Sequence, residues 1–517
     1  MTIFSPPPAT PSVIELPLPR FGATPTRIAS HGYRYVVAGN TLLPDLVIQK
    51  VLAKASSPKI AVNTLLKAYH ARGYTLVAVT GQVKGKTVSI DVYEGLINSF
   101  VAPNAIKRFF PGITERQNLR NATLVRDQIL SDTYAQRSGK TLRVNLSPGT
   151  NPGSSALTIS ESKKADYFPI SGALTFGNYG SRYASGYVAG AQLAANLTHG
   201  IQITGNFTQG LAGLRPVSYG SSYYQDGVGA SVATPYGLYG FNTSWTHYRL
   251  GQSTYPLYPD GNVFTYAFTG SQLMFANTST RFTLNESLTH VRYRETLLNG
   301  FYTLLNQHYN YISGGAAVDR SMSLLGRTGD ISGSLTLNIG ISPESGTLLD
   351  NARGIPTSHF RYTDFSAGYK QALPYGFQTN LTGQAQWSVS TLPSQQQWVL
   401  GGLGTLSAWE PGVETGDSGY LARLELDAPS FKRLGSDAQF GLFLETGGVA
   451  LANPSPGTPP WQTLSDVGVS LRLKLPLGFS VTTMAATPIH TSAYNRSTRA
   501  NLKVNRINAF FVVQKGF

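Results

Sequence analysis

The stretch ISGSLTLNIGI (residues 331–341) alternates between apolar or small residues at odd positions and polar or small ones at even positions. The same period of two recurs in residues 377–389 and around Phe264, Tyr266 and Phe268. Successive side chains of a strand point to opposite faces, so these stretches predict strands with one apolar and one polar face. Because the polar face carries almost no charge, the pattern favours a transmembrane β-barrel. A soluble β-sandwich or an adhesin repeat is the alternative.

The composition agrees with a β structure that meets lipid. Charged residues make up 13% of the 517 residues and aromatic residues 11%, with 54 Gly and 28 Tyr, whereas a typical soluble protein has about 25% charged residues. No run of about 20 apolar residues is present, so no transmembrane helix is expected. The chain has no cysteine, which excludes disulfides and thiolate metal sites. Residues 167–517, at roughly 22 residues per strand and connection, predict a barrel of about 16 antiparallel strands.

The front third of the chain has a different character. Residues 1–167 hold 20 Lys+Arg against 9 Asp+Glu, but no clustered basic helix, so we interpret a solvated basic face and expect no nucleic-acid partner. Residues 1–29 are proline-rich and lack the regions of a signal peptide, which predicts an extended arm or linker. Helical and strand spacing then predicts two consecutive α+β modules of βααββ order, residues 30–95 and 96–166.

The C-terminal residues predict a final barrel strand. Lys515 interrupts an otherwise apolar face made by five residues, Ile507, Ala509, Phe511, Val513 and Phe517. A carboxy-terminal Phe is the usual last residue of bacterial outer-membrane barrels, so we interpret Phe511, Val513 and Phe517 as the barrel-assembly signal.

Four local motifs follow one another along the chain: Gly39-Asn40 before Leu43-Pro44, Tyr69-His-Ala-Arg-Gly-Tyr74, Asn145-Leu-Ser-Pro-Gly149 and Phe176-Gly-Asn-Tyr-Gly180. In this order and spacing they resemble the outer-membrane transporters of two-partner secretion, the TpsB family of haemolysin activators and filamentous haemagglutinin transporters. The resemblance covers residues from about 30 to 517. It implies that the two modules are POTRA domains in the periplasm and that the barrel lies in the outer membrane of a Gram-negative bacterium.

The resemblance also implies a function. The implied function is that of a pore. This pore would recognise a large unfolded exoprotein of the TpsA type, a haemolysin or adhesin, and export it without nucleotide hydrolysis or any cofactor. Outer-membrane lipid and the barrel-assembly machinery are the other implied partners. In the first module, residues 33–37 and 75–83 are candidate edge strands for adding a substrate strand. The alternatives are an assembly factor of the BamA type, a passive porin and a surface adhesin.

In this family a long loop folds back into the barrel, carrying a Val-Arg-Gly-Tyr or Val-Arg-Gly-Phe motif and then Gly-Asp-x-Gly. The matching residues here lie at about 400–418 and are Leu406-Ser407-Ala408-Trp409 and Gly416-Asp417-Ser418-Gly419. Ser407 replaces the family arginine, and the acidic residue of the barrel wall that would pair with it is Glu445. Since Ser407 cannot form a bidentate pair, we expect a single hydrogen bond to Glu445 and a loop held mainly by burial of Trp409.

Gly416-Asp417-Ser418-Gly419 is also the tetrapeptide around the nucleophile of trypsin-like proteases. None of the eight histidines stands in a recognisable catalytic context, and the usual Gly-Pro continuation is missing, so a loop is favoured over a nucleophile. No HExxH or EF-hand motif and no metal-ligand spacing is present. The sequence therefore predicts no enzyme activity and no metal site.

Overall fold

The computed structural model describes residues 25–115, 117–148, 154–181, 184–214, 220–251, 254–324, 326–349, 354–433, 435–457, 459–492 and 507–517. Two α+β modules precede a closed antiparallel barrel of 16 strands, one of them interrupted. The predicted fold class is confirmed. No helix among the described residues is long and apolar enough to cross a membrane. Most of the predicted arm, up to residue 24, lies outside the described residues.

The first module contains four strands and two helices: β1 Thr26–Ser30, β2 Tyr33–Ala38, α1 Asp45–Ala53, α2 Pro58–Ala71, β3 Val77–Lys84 and β4 Thr87–Glu94. Helix α2 begins where its geometry favours a start, because the Ser57 hydroxyl accepts a hydrogen bond from the Ile60 N–H and Pro58 occupies the first turn. The sheet order is β1-β2-β4-β3, with β2 parallel to β4.

Strand β1 corrects two predictions about the first module. It lies at the end of the stretch interpreted as an arm, so the module has ββααββ order in place of βααββ. It also pairs antiparallel with β2 from Thr26–Val37 to Ser30–Tyr33. Residues 33–37 are therefore not a free edge, and the prediction that they might be was wrong. Strand β3, at the other side of the sheet, is an edge strand as predicted.

The second module follows directly, with three strands and two helices: β5 Leu96–Val101, α3 Asn104–Lys107, α4 Asn121–Arg137, β6 Lys140–Pro148 and β7 Ser154–Lys163. The sheet order is β5-β7-β6, with β5 parallel to β7. This is the βααββ order that the sequence predicts. Helix α4 is buried on most of its surface, and its buried residues include Asp127, Gln128 and Ser131.

The remaining strands run from residue 170 to the C-terminus: β8 Ile170–Gly177, β9 Val188–Asn196, β10 Ile201–Gly210, β11 Ser222–Thr234, β12 Gly237–Arg249, β13 Asp260–Ala276, β14 Thr280–Leu297, β15 Tyr302–Leu324, β16 Arg327–Gly340, β17 Arg361–Ala372, β18 Gln378–Ser388, β19 Trp398–Leu400, β20 Glu414–Gly416, β21 Ser418–Asp427, β22 Phe431–Arg433, β23 Ser436–Ala450, β24 Gln462–Lys474, β25 Phe479–Thr491 and β26 Asn508–Gly516. Strands β21 and β22 pair with successive parts of β23 and form one interrupted barrel strand. Strands β19 and β20 form a separate hairpin.

The alternation in the sequence separates the two faces of the barrel wall. In β16, Leu335 and Leu337 are 55% and 46% exposed on the outer face, while Asn338, the residue after Leu337, is buried on the inner face. Leu381 and Trp387 of β18 are likewise exposed. Because large apolar side chains on the outside would be costly in water, this surface is suited to lipid.

The barrel closes between its first and last strands. Five residue pairs join β26 to β8, from Val512–Gly177 to Gly516–Ala173, and the backbones of Phe517 and Gly172 add a reciprocal pair of hydrogen bonds at 3.0 Å. Beyond the end of β8, Asn178 continues the pairing with its side chain. Its amide oxygen accepts from the Phe511 N–H at 2.7 Å, and its amide nitrogen donates to the Ala509 carbonyl at 2.9 Å.

Helix α4 docks the second module onto turns at one end of the barrel. The apolar core of the module continues into four barrel residues, Ala233, Leu238, Leu273 and Ala276. The Arg137 guanidinium donates to the carbonyls of Gly200 and Ser231 at 3.1 and 3.3 Å. Module and barrel wall therefore share one core at this end.

Candidate gate inside the barrel

The connection between β18 and β21 folds into the lumen, in the region where the inward loop is predicted. Its hairpin pairs Trp398 with Gly416 and Leu400 with Glu414. The wall residues that it contacts alternate with outward-facing Leu424, Leu442 and Leu444, so they point inward. Loop and wall form one buried apolar cluster: Leu400, Leu406, Ala408, Trp409, Leu421, Phe443, Val449, Leu464 and Ala486.

Trp409 is the largest side chain of this cluster. It is 2% exposed, and its indole N–H has no hydrogen-bond partner among the described residues. Its contribution to holding the loop is therefore apolar burial, as the sequence suggests for this position.

The tip of the loop is held through its backbone. The Ser407 N–H donates to Glu445 Oε2 at 2.6 Å, and the next N–H, of Ala408, donates to Asp466 Oδ2 at 2.9 Å. Glu445 and Asp466 face each other across β23 and β24. Leu406, just before the two donors, has φ of +111°, a conformation that L-residues rarely adopt. Two consecutive amides are thus aimed at two neighbouring carboxylates, and we call this arrangement the carboxylate clamp.

The contact between Ser407 and Glu445 differs in kind from the expected one. The Ser407 hydroxyl accepts from the Gly404 N–H at 3.3 Å and does not reach Glu445. The Ser407 carbonyl accepts from the Asn508 side chain at 3.2 Å, which links the loop to the last strand. The side chain that replaces the family arginine is therefore not the group that binds the wall carboxylate.

A guanidinium nevertheless reaches Glu445, from the barrel wall. Arg423 of β21 donates through Nη1 to Glu445 Oε1 and through Nε and Nη2 to Glu425 Oε2 at 3.2 and 3.1 Å. Its guanidinium carbon lies 4.2 Å from the centre of the Phe443 ring. The guanidinium that binds Glu445 therefore comes from a neighbouring strand of the wall and not from the loop.

Further charged side chains extend this arrangement along the wall. Arg472 donates to both Glu425 and, at 2.7 Å, Asp427. The Ser470 hydroxyl donates to Glu425 at 2.9 Å. The sequence argument did not select Arg423, Asp466 or Arg472. A charge at alternate positions of strands, as in Arg423-x-Glu425-x-Asp427, is the signal for inward-facing residues that could have found them.

Asp417 fixes the second end of the loop. Its Oδ1 accepts from the Leu392 N–H at 2.8 Å and the Gln397 side chain at 3.3 Å, and its Oδ2 accepts from the Ala452 N–H at 2.9 Å. It is 1% exposed, so this carboxylate serves as a hydrogen-bond hub for three chain segments.

Steric constraints explain the glycines at positions 416 and 419. A Cβ on Gly419 would overlap the Trp398 ring, and a Cβ on Gly416 would lie 2.8 Å from the Ala450 carbonyl oxygen. Both positions bring loop and wall together more closely than a side chain permits.

The contacts of Ser418 are those of a structural residue. Its hydroxyl accepts from the Ser388 N–H at 2.9 Å and lies 3.2 Å from the Ser388 carbonyl, and Ser418 is buried. No group of three or more His, Asp or Glu side chains in the described part of the chain could hold a metal ion. The carboxylates of the wall are bound instead by the two arginines and the loop amides.

The predicted assembly-signal residues lie at the barrel closure. Phe511 packs on the outer surface with its ring 5.7 Å from Phe176, and Val513 pairs with Phe176 in the β26–β8 register. Phe517 is exposed beyond the last strand. The three residues thus mark the end of the chain at the point where the ring closes, and their role as an assembly signal remains a prediction.

The family model of the haemolysin secretion/activation proteins ShlB/FhaC/HecB matches residues 153–474. The chain belongs to this family. Among curated relatives, the heme/hemopexin transporter protein HuxB of Haemophilus influenzae is 33% identical over 70 residues, which is 14% of this chain and 12% of HuxB.

Two solved structures share the fold of this family member. CdiB from Escherichia coli superposes with a TM-score of 0.73 at 18% identity, over 100% of this chain and 94% of that one. CdiB from Acinetobacter baumannii has a TM-score of 0.69 at 14% identity, over 99% and 94% of the two chains.

Family membership establishes where the protein lies and which kind of protein it is. The barrel lies in the outer membrane of a Gram-negative bacterium, the N-terminal region is periplasmic, and the family is that of haemolysin secretion/activation proteins. The end of the barrel that carries α4 is therefore the periplasmic end.

Proposed function

We propose that this chain exports one large exoprotein of the TpsA type, a haemolysin or adhesin, in an unfolded state and without nucleotide hydrolysis. In this proposal the barrel-assembly machinery inserts the chain into lipid, and the inward loop is a resident gate that moves to let the substrate pass. The carboxylate clamp holds the gate closed.

One observation carries the gate proposal: the loop tip is bound through two backbone N–H groups to Glu445 and Asp466. Typical hydrogen bonds within a protein contribute about 0.5–1.5 kcal/mol net each. Two of them, with the burial of Trp409, hold the loop firmly but reversibly. An extended substrate also presents backbone N–H groups, so it can offer the two carboxylates the same kind of donor that the loop gives up.

The first module offers the receiving edge. Strand β3 is at the border of its sheet, and Val83 near its end is 54% exposed. An exposed strand edge presents unpaired backbone groups to which an extended chain can add. We propose that the POTRA-type modules bind the exoprotein at β3 before it enters the barrel.

Secretion is tested by mass spectrometry of culture supernatants from cells with and without the chain. Loss of one large β-rich protein from the medium, with its fragments in the periplasm, is the expected result. An unchanged medium together with depleted outer-membrane barrels would contradict export and favour the assembly-factor function.

The gate is tested by conductance in planar bilayers. Glu445→Ala combined with Asp466→Ala removes both acceptors, and we expect openings to be about tenfold more frequent, since about 1.4 kcal/mol corresponds to a factor of ten. Asp364→Asn is the matched control, because Asp364 is an inward-facing carboxylate that accepts from the Asn338 side chain at 2.9 Å and makes no hydrogen bond to the described residues of the loop. Ser407→Ala should also gate normally, because its N–H is kept. Frequent openings in Ser407→Ala with none in the double variant would overturn the clamp.

The receiving edge is tested by cross-linking, which the cysteine-free sequence makes straightforward. Gln82→Cys on β3 should form a disulfide or maleimide cross-link with a cysteine-bearing exoprotein fragment. Arg27→Cys on β1 is the matched control on the opposite edge of the same sheet. Cross-linking from β1 in preference to β3 would assign binding to the other edge.

A further inference from the structure

The outer face of β13, β14 and β15 changes character along the barrel axis. Phe268, Leu288 and Ile312 lie side by side in register and are 61%, 46% and 43% exposed, which places them in the lipid-facing band. On the extracellular side of this row, three further rows of the same outer face carry aromatic, basic and amide side chains. These are Tyr266, His290 and Asn310; Phe264, Arg292 and His308; and Asn262, Arg294 and Asn306, together called the basic patch.

The height of the basic patch follows from strand geometry. Phe275 and Phe282 are paired and exposed near the periplasmic ends of β13 and β14, where they mark the lower border of the apolar band. From Phe282 to Arg292, at roughly 3.3 Å per residue and a strand tilt of about 40°, the wall rises about 25 Å. The apolar band of such barrels is about 25 Å tall, so Arg292 lies at the boundary between outer-leaflet hydrocarbon and headgroups.

The two arginines of the patch have no anionic partner among the described residues. Arg292 and Arg294 are exposed, and neither makes an ion pair with a described carboxylate. Three described carboxylates share this outer face: Asp226, Asp260 and Glu286. Glu286 lies six residues below Arg292 on β14 and accepts from the Gln272 side chain at 3.2 Å. Asp260 lies 3.7 Å from the His247 ring. The positive charge of Arg292 and Arg294 is therefore left for an external group.

The side chains around the two arginines are suited to binding a polar group at a membrane boundary. His290 Nδ1 lies 2.8 Å from Asn310 Oδ1, and its ring stacks on Tyr266 with centroids 6.0 Å apart. Phe264 stacks on Trp245 at 5.5 Å. The Nδ1 atom of His308 is buried without a partner among the described residues. Aromatic rings at this height are typical of the membrane interface.

We propose that the basic patch binds the phosphate groups of a phosphorylated glycolipid of the outer leaflet, of the lipid A type. Arginine forms forked hydrogen bonds to phosphate oxygens, and two arginines six to seven Å apart along one strand face can hold phosphates of one headgroup. The acyl chains of the same lipid then lie along Phe268, Leu288 and Ile312 directly below. A soluble acidic protein would make no use of this apolar surface.

The test is a titration of the full-length protein in detergent micelles with bisphosphorylated lipid A, followed by native mass spectrometry. Arg292→Gln combined with Arg294→Gln should weaken the apparent affinity about tenfold. Arg320→Gln is the matched control, since Arg320 is an exposed outward arginine at the periplasmic end of β15, and it should bind lipid A as the unchanged protein does. Dephosphorylated lipid A should bind equally weakly to all three proteins.

Three results would overturn the proposal. The double variant could bind bisphosphorylated lipid A as tightly as the unchanged protein. Dephosphorylated lipid A could bind as tightly as the bisphosphorylated form, which would assign recognition to the acyl chains. Inorganic phosphate alone could displace the lipid completely at millimolar concentration, which would make the patch a site for soluble anions. Since Arg292 and Arg294 lie on the outside of the wall, none of these results bears on export through the lumen.

Discussion

The two N-terminal modules have similar folds but different attachments. The core of the first module consists of its own residues, among them Tyr35, Ile48, Leu65 and Ile90. The core of the second module continues into Leu238, Leu273 and two further residues of the barrel turns. A module with a private core can change its orientation without losing apolar burial, whereas one that shares its core with the barrel cannot.

The polar contacts divide in the same way. Arg137 of the second module binds two carbonyls of the barrel, while the two modules meet at a smaller junction. There the Asn121 N–H donates to the Gly73 carbonyl at 2.7 Å, and Arg120 donates to the Tyr74 hydroxyl at 3.2 Å. Under the proposed function, capture of a partner and anchoring to the barrel would fall to different modules, because the edge strand β3 lies on the less firmly attached one.

The largest expected effect comes from a charge in the shared core. Leu238→Asp places an unpaired carboxylate between α4 and the barrel, which should cost about 3–5 kcal/mol of docking free energy. Hydrogen exchange of Asn121–Arg137 in the full-length protein should then become much faster. Leu65→Asp, in the private core of the first module, should leave the exchange of α4 unchanged. Loss of α4 protection in Leu65→Asp would show that the two cores are coupled.

The second effect concerns the polar anchor of the same interface. Arg137→Ala removes hydrogen bonds from a charged donor to two buried carbonyls, and should weaken the docking of α4 by about 1.5–3 kcal/mol. Arg143→Ala, an exposed arginine on β6 of the same module, is the control. Equal exchange rates of α4 in the two variants would mean that apolar burial alone holds the module.

The third effect depends on pH. Burial raises the pKa of Asp127 to about 6, although the neighbouring Arg126 lowers it in part, whereas an unfolded Asp has a pKa of about 3.9. The folded state therefore binds the proton more tightly, so this group favours folding below about pH 4 and the contribution is lost as the pH rises through about 6. Asp127→Asn should reduce this pH dependence and stabilise α4 at pH 8 by roughly 1–2 kcal/mol. The remaining part is expected from Asp132 of the same helix, because burial raises its pKa to about 7. The measurement is the exchange rate of α4 at pH 5 and pH 8, corrected for the intrinsic rate. A pH dependence in the variant as large as that of the unchanged protein would show that Asp127 does not contribute to it.

The smallest effect is expected at the junction between the modules. Tyr74→Phe loses the hydrogen bond from Arg120 but keeps the ring beneath the guanidinium, which lies 5.6 Å from its centre. The first module should lose less than about 1 kcal/mol of stability, measured by urea-dependent proteolysis of the full-length protein, and α4 should be unaffected. A larger loss, shared by both modules, would contradict their independence.

The sequence predicted those features that depend on local pattern. The alternation around Leu335 and Leu337 identified the barrel because burial on one face repeats every two residues. Glu445 and the loop around Ser407 were placed by a resemblance in motif order. In both cases the signal lies within one short stretch of chain.

The features that were missed depend on contacts between distant strands. Arg423 and Asp466 meet Glu445 through the register of three strands, which no single stretch encodes. Strand β1 was hidden by the prolines that precede it. The burial of Asp127 in α4 depends on tertiary packing, and charged helix residues are mostly exposed, so no local pattern predicts it.

The junction of β26 with β8 also constrains how the protein comes into being. Asn178 and Phe511, which bond across it, are separated by 333 residues, so this contact has one of the highest loop-closure entropies in the chain and should form late. Until ribosomal synthesis reaches Phe511, β8 has no partner strand on that side. A truncated chain therefore cannot close the barrel. Premature termination should produce open sheets, which quality-control proteases remove, and should not produce permanently open pores in the membrane.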